Sequence, residues 1–246
     1  MDSYKWEGKM LKILIVENNK IECKEMVNCI AQSDLNVKIY RIAYTGEEAI
    51  SILKCQNVDL VILDCNFEDI SKENFFSILY KEHIEKYKNS IILLSDFNEK
   101  SFNKEESIYI FNYLKRPVEQ SQILKSIRNY LKQKNNNNLK YKICKELDKL
   151  HFKFSYNGTQ YLVETIYEIC LRNYIWDVNL SKDIFPILSN KYNKSINTIH
   201  SNIKKTISIM FYDCDESTLK EYFNYYELEK PKLKELIFKV IDHMRI

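Results

Sequence analysis

Five short apolar runs mark out the first half of the chain: LKILIV (11–16), VKIYRIA (37–43), VDLVILD (58–64), SIILLS (90–95) and YIFNYL (109–114). Amphipathic stretches of helical period separate them. A strand covered by helices on both faces has no solvent side, so it reads as a near-continuous apolar run and not as strict alternation. Parallel neighbours also need a crossover long enough to hold a helix. The repeated strand–helix order therefore predicts a parallel sheet wrapped by helices over residues 10–132. Residues 133–140, QKNNNNLK, are polar, low in complexity and free of apolar periodicity, which predicts a flexible linker. Beyond it helical periods dominate, in TQYLVETIYEICLRN, PILSNKY, SINTIHSNIKKTISIMF and KLKELIFKVIDHM, so residues 141–246 are expected to be all α.

Composition narrows the function classes. With 246 residues, 45% of them hydrophobic and 29% charged, the chain can bury a core in each of two domains. Its net charge is only +3, so attraction to nucleic acid has to come from a local patch. The seven cysteines are scattered without a CxxC pair and read as reduced residues of a cytoplasmic protein. Three glycines cannot build a glycine-rich phosphate loop, and no nucleophile–base pair stands out, so an enzyme is not expected. The N-terminal MDSYKWEGKMLKILIV mixes charges with an apolar run too short for a signal peptide or a membrane span, and no membrane partner is expected. His83, His151, His200 and His243 show no metal-ligand spacing with one another or with the cysteines.

The third apolar run stops at Asp64, where a parallel strand would emerge at the sheet edge that carries chemistry in open α/β folds. With five strand–helix units, this strand-end aspartate and acidic character just after strand one, residues 10–132 resemble the receiver domain of bacterial response regulators. The resemblance implies a flavodoxin-like five-stranded parallel sheet. It also implies Asp64 as phosphoacceptor, fed by a histidine kinase or phosphotransferase, and magnesium held by Glu17, Asn18 and Asp64. Ser95 and Tyr113 match the family's hydroxyl and aromatic switch positions, and Pro117 its proline, which follows a peptide that is usually cis.

Four positions depart from the family pattern. Asn18 has lost the charge of a metal-binding acid, which at about 5 Å and an effective dielectric near 20 is worth about 3 kcal/mol of attraction to the ion. Arg116 stands where the family has lysine and is expected to clamp Asp64, since a guanidinium fork pairs with carboxylates. Asp96 replaces a small residue after Ser95; it would either repel a phosphoryl group or restore part of the metal site. Glu68 stands where a loop proline is common. Two readings of the domain stay open: a phosphorylatable switch with a weakened magnesium site, or an unphosphorylated scaffold that keeps the fold and a dimer surface.

In the second half no acidic residue occurs between Asp183 and Asp213, while Lys191, Lys194, Lys204 and Lys205 all fall there. Ile196, Ile199, Ile203 and Ile207 recur at helical spacing and define a buried face. Opposite it lie Lys194, Thr198, Ser201, Lys205 and Ser208, flanked by Asn197, Asn202 and Lys204. Pro186 suits the first turn of a preceding short helix, and YNKS supplies a tight connection. Short helix, turn and longer basic helix is the helix-turn-helix order, whose second helix enters the major groove of double-stranded DNA. Together with Gly158, Tyr161, Glu164, Pro186 and Asn193, this stretch resembles the DNA-binding effector domain of the sporulation master response regulators of spore-forming bacteria. Lys194, Asn197, Thr198, Ser201, Asn202, Lys204 and Lys205 are the expected DNA contacts. Thr198, Ser201 and Lys204 replace the family's base-reading arginines, so a different or looser target sequence is expected.

The combined expectation is a sequence-specific, homodimeric transcription factor of the phosphorelay type with little or no receiver phosphorylation. The alternative is an antagonist that dimerises with a related sporulation regulator and does not bind DNA.

Overall fold

In a computed structural model the protein is described over residues 10–82, 84–96, 103–172, 177–223 and 229–244. The chain divides into two units, Met1–Gln133 and Lys134–Ile246.

The first unit alternates strand and helix in chain order: β1 (Leu11–Val16), α1 (Lys20–Ala31), β2 (Val37–Ala43), α2 (Gly46–Cys55), β3 (Leu60–Asp64), α3 (Lys72–Lys81), β4 (Ile91–Ser95), α4 (Lys104–Ser107), β5 (Ile110–Lys115) and the start of α5 (Gln120–Lys149). The strands form one parallel sheet in the order β2-β1-β3-β4-β5. Successive side chains point to opposite faces, so each central strand feeds two cores. Leu14, Val16, Val61, Leu63, Ile91 and Leu93 pack with Ala49 and Leu53 of α2 and Phe75 and Phe76 of α3. Ile13, Ile15, Leu60, Ile62, Ile92 and Leu94 pack with Met26 and Ile30 of α1 and Ile123 and Ile127 of α5. Burying each such side chain contributes about 1.5–3 kcal/mol, which makes the register of these strands hard to shift. Val16 pairs with Leu63, Asp64 with Leu94 and Ser95 with Lys115, so all the strand ends meet along one edge. The strand order reverses between β1 and β3, at the position where open α/β sheets place their sites.

Residues 133–140, expected as a flexible linker, are instead helical, part of the uninterrupted 30-residue α5. Asparagine is a weak helix former, costing at most about 0.7 kcal/mol per residue. Four in a row are carried because both flanks are anchored. Ile123, Ile127 and Tyr130 are buried in the first unit, and Leu139, Ile143 and Leu147 repeat every four residues into the core of the second.

The second unit, apart from its share of α5, contains α6 (Asn157–Cys170), α7 (Phe185–Tyr192), α8 (Ile196–Asp213), α9 (Glu216–Phe223) and α10 (Leu233–Met244), with one π-helical turn at Leu180–Ile184 leading into α7. No strand occurs among its described residues. Ile143, Leu147, Leu162, Ile166, Leu188, Ile199, Ile203, Leu236 and Val240 are fully buried in a single core. Helices α6 and α8 cross closely at Gly158: a Cβ there would lie 2.3 Å from the Asn202 carbonyl oxygen and 2.0 Å from Thr206 Oγ1. Because one of those neighbours is backbone, α8 would have to move.

Gly158→Ala is therefore expected to destabilise the helical unit by about 1–3 kcal/mol through overpacking. The urea unfolding midpoint of that unit measures this, and an unchanged midpoint would show that the two helices do not meet at this glycine.

Candidate functional site

Two groups of functional side chains emerge, one at the sheet edge of the first unit and one on α8 of the second. At the sheet edge, Glu17 directly follows β1, Asp64 ends β3, Ser95 ends β4 and Arg116 directly follows β5. The Arg116–Pro117 peptide is cis. The guanidinium points across the strand ends. Its Nη2 donates to Glu17 Oε2 at 2.8 Å and to Asp64 Oδ2 at 3.1 Å, while Nη1 donates to Glu22 Oε2. The remaining oxygens are also engaged. Asn19 N donates to Glu17 Oε1 at 3.0 Å, Asn66 N to Asp64 Oδ1 at 3.2 Å, and Asn19 Nδ2 to Glu22 Oε1 at 3.0 Å. Asn19 is also the N-cap of α1, accepting from Ile21 N and Glu22 N. One residue thus starts the helix and holds two of the three carboxylates.

Glu17 and Asp64 are both buried. Burial raises the pKa of each above its ordinary value, against the lowering influence of Arg116 and of the backbone amides of Asn19 and Asn66. Burial works against the Arg116 charge as well. The hydrogen bond to Glu22 and the charges of Asp64, Glu17 and Glu22 outweigh it and hold the guanidinium above its usual pKa.

Asn18 donates through Nδ2 to the Asn66 carbonyl oxygen at 3.0 Å, and Asn66 Nδ2 donates to Asp96 Oδ2 at 3.2 Å. Asn66 therefore ties together the loops after β1, β3 and β4. Ser95 is fully buried, and its carbonyl accepts from the Tyr113 hydroxyl at 3.2 Å. Glu68 is exposed. Sequence reasoning assembled Glu17, Asp64 and Arg116 but missed Glu22 and Asn66. The one sequence signal for Glu22 was an acid in the first turn of α1, which does not by itself point to Arg116.

Receiver domains generally bind magnesium at the phosphorylation site. Magnesium demands oxygen ligands in a tight octahedron at about 2.0–2.1 Å. Here the facing oxygens Glu17 Oε2 and Asp64 Oδ2 are bridged by a guanidinium nitrogen, and the Asn18 side chain presents an N–H donor bonded to the Asn66 carbonyl oxygen. These residues, so arranged, do not fit a magnesium ion.

On α8 the buried stripe is Ile199, Ile203, Thr206, Ile207 and Met210. The preceding helix α7 ends at Asn193 in the left-handed conformation (φ 50°), and Ser195 caps α8 by accepting from Thr198 N. Lys194, Asn197, Thr198, Ser201, Lys204 and Lys205 are exposed, and Asn202 is half-buried beside the α6 crossing. The Thr198 and Ser195 hydroxyls bond each other at 2.8 Å, and Ser201 Oγ donates to the Thr198 carbonyl at 3.0 Å. Among the described residues no ion pair engages Lys194, Lys204 or Lys205. Lys191 is different: with Lys140 it pairs with the buried Glu164, at 2.8 and 2.6 Å. These two ammonium groups overcome the effect of burial and hold the Glu164 carboxyl below its ordinary pKa. His200 is half-buried, and burial followed by the nearby Lys204 lowers its pKa, so it adds no positive charge at neutral pH.

Arg116→Met would leave Glu17 and Asp64 buried without their cation, at a cost of about 3 kcal/mol at neutral pH. Without the guanidinium both carboxyls titrate still higher in the folded chain than in the unfolded one. The loss is therefore full above those raised values and shrinks as pH falls through them towards the lower, though still raised, values that Arg116 maintains in the wild-type fold. Denaturation of both proteins across a pH series checks this; a loss independent of pH would contradict the cluster.

Residues 13–128 match the response regulator receiver domain family, and residues 143–244 match the family of the sporulation initiation factor Spo0A C terminal. Among solved structures, the chain is similar to a two-component response regulator from Clostridium difficile (20% identity, TM-score 0.41, covering 51% of this chain and 98% of that one). It is also similar to the receiver domain of the Francisella response regulator 1452 (17%, 0.41, 50% and 98%). A third is the signal receiver domain of an HD domain-containing protein from Pseudomonas fluorescens Pf-5 (16%, 0.42, 53% and 93%). No helix among the described residues is long and apolar enough to cross a membrane. The chain has the architecture of a response regulator receiver domain followed by a Spo0A-type C-terminal domain.

Proposed function

We propose that this response regulator is a transcription factor that binds double-stranded DNA as a homodimer through α8, with a receiver that Arg116 holds without magnesium-dependent phosphorylation of Asp64. The reading rests above all on the exposed face of α8. Lys204 and Lys205 stand there without an ion pair among the described residues, beside Asn197, Thr198 and Ser201, on the second of two helices joined by a tight turn, and Lys194 lies in that turn. Lysines supply phosphate attraction, while short polar side chains reach base edges. Ser201 already uses its hydroxyl hydrogen within the helix, donating to the Thr198 carbonyl, which leaves its oxygen as an acceptor for a base amino group. An acceptor there favours adenine N6 or cytosine N4 over guanine, consistent with a target that differs from an arginine-read box.

Binding-site selection from random duplexes, followed by filter binding over a salt series, tests the DNA reading. Lys205→Ala is expected to weaken binding to all duplexes and to reduce the salt slope by about one unit. Ser201→Ala or Asn197→Ala is expected instead to flatten preference for the selected site by about 1–3 kcal/mol. Two chains should bind each duplex. Wild-type protein that selects no sequence would favour the antagonist reading, in which the chain acts by dimerising with a related regulator.

The receiver is tested separately. Acetyl phosphate with magnesium is expected to leave the intact mass unchanged, whereas Asn18→Asp combined with Arg116→Lys should gain one phosphoryl mass that Asp64→Asn removes. The two changes act on one pocket, so the double variant should exceed the sum of the single ones. Rapid stoichiometric phosphorylation of wild-type Asp64 would overturn the held-receiver reading.

A further inference from the structure

His151 and the pair Cys214–Asp215 are far apart in sequence, and their spacing gave no metal signal. The fold of the second unit brings them together: one ligand atom from each lies within 4.8 Å of the other two. His151 follows α5 in the left-handed backbone conformation (φ 61°), Cys214 is the C-cap of α8, and Asp215 immediately precedes α9.

The histidine is held in a specific tautomer. Its Nδ1 lies 3.1 Å from the Asp213 carbonyl oxygen, and a carbonyl only accepts, so Nδ1 carries the hydrogen. Nε2 is left with a lone pair and lies 3.9 Å from Asp215 Oδ2. An outer hydrogen bond of this kind orients metal-ligating histidines and raises their basicity. The Asp215 carboxylate is likewise fixed. Oδ1 accepts from Ser217 Oγ and from Thr218 N, and Oδ2 accepts from the Thr218 Oγ1 side chain at 2.9 Å, its one side-chain donor among the described residues. A carboxylate oxygen has two acceptor directions, so Oδ2, the oxygen nearer His151, keeps one open.

We propose that His151, Cys214 and Asp215 bind a divalent transition metal of the zinc class, with water as the fourth ligand. Imidazole, thiolate and carboxylate together suit zinc and its neighbours, whereas magnesium and calcium prefer oxygen alone. The His151 and Asp215 side chains are 50% and 48% exposed, which gives the ion a way in and leaves room for the water. A tetrahedron with bonds of about 2.0–2.3 Å places donors roughly 3.3–3.8 Å apart. The widest separation must close by about 1 Å, within reach of a half-exposed imidazole. Binding converts the Cys214 thiol to a thiolate and releases its proton to solvent. The ion would tie the end of α5 to the turn between α8 and α9, and so brace the C-terminal end of the helix proposed to enter DNA.

Cobalt(II) titration of the full chain, freed of metal by chelation and kept reduced by a phosphine, provides the test. A near-ultraviolet thiolate-to-cobalt charge-transfer band is expected to rise to one equivalent and to be displaced by zinc. Cys214→Ser should abolish it, and Cys55→Ser, at an exposed cysteine, should retain it. Cys214 is buried, so its replacement could disturb the fold. His151→Gln and Asp215→Asn change half-exposed groups instead, and each should weaken cobalt binding at least about tenfold with an unaltered far-ultraviolet circular dichroism spectrum. Absence of the band, its survival in Cys214→Ser, or wild-type affinity in both His151→Gln and Asp215→Asn would overturn the site.

Discussion

A parallel sheet covered by helices on both faces can hold charge only at its strand ends, where backbone donors and solvent reach it. The interior strand residues of this receiver, from Ile13 and Ile15 to Ile62 and Leu93, are completely buried, so the sheet's register is fixed by its apolar side chains. That register in turn fixes how near Glu17 and Asp64 stand to each other. Two buried carboxylates and a third from α1 cannot share such a space without either taking up protons or acquiring a cation. Arg116, carried in by β5 on the same edge, is that cation, and its two terminal nitrogens reach all three acids.

Arginine and lysine resolve this crowding differently. A lysine ammonium is a compact point charge on a flexible stem and can follow a phosphoryl oxygen when one arrives. The guanidinium is a planar fork whose hydrogen bonds to Glu17, Glu22 and Asp64 hold only in one orientation. Phosphorylating Asp64 would require the fork to give up its bond to that residue, while Glu17 and Glu22 still hold its other contacts. Asp96 adds a further negative group, anchored through Asn66, near the mouth of the pocket. These features work in the same direction, toward the held receiver proposed above.

The strand–helix alternation and the acidic edge were legible because both are written in local runs of residue type. The five apolar runs lie within two residues of the observed strands; Asp64 followed from where a strand ends, and Glu17 and Arg116 from the resemblance to receiver domains. What escaped depended on contacts between distant segments. The Gln133–Lys140 stretch looks like a linker by composition, yet its helix is decided by apolar anchors on either side, which no window over the asparagines contains. Glu22 joins the Arg116 cluster because Asn19 caps α1 and points the first turn at the sheet edge, a consequence of backbone geometry and not of spacing to Asp64. His151 comes to Cys214 and Asp215 only once α5, α8 and α9 have packed.

The second unit shows how packing decides which charges of a basic stretch remain for a partner. By sequence Lys191, Lys194, Lys204 and Lys205 form one acid-free cluster. In the fold Lys191 faces α6, where Glu164 is buried and must be neutralised, and together with Lys140 it does so. Removing either lysine would leave a buried carboxylate short of a partner, so Lys191 is committed to joining α7 to α6. The crossing at Gly158 brings α8 against the same helix and sets which of its faces is covered. Lys204 and Lys205 then project from the uncovered face because Ile203, Thr206 and Ile207 occupy the covered one. The basic face is thus a product of two contacts on α6: a glycine that lets α8 approach, and a glutamate that claims the one lysine of the cluster within its reach.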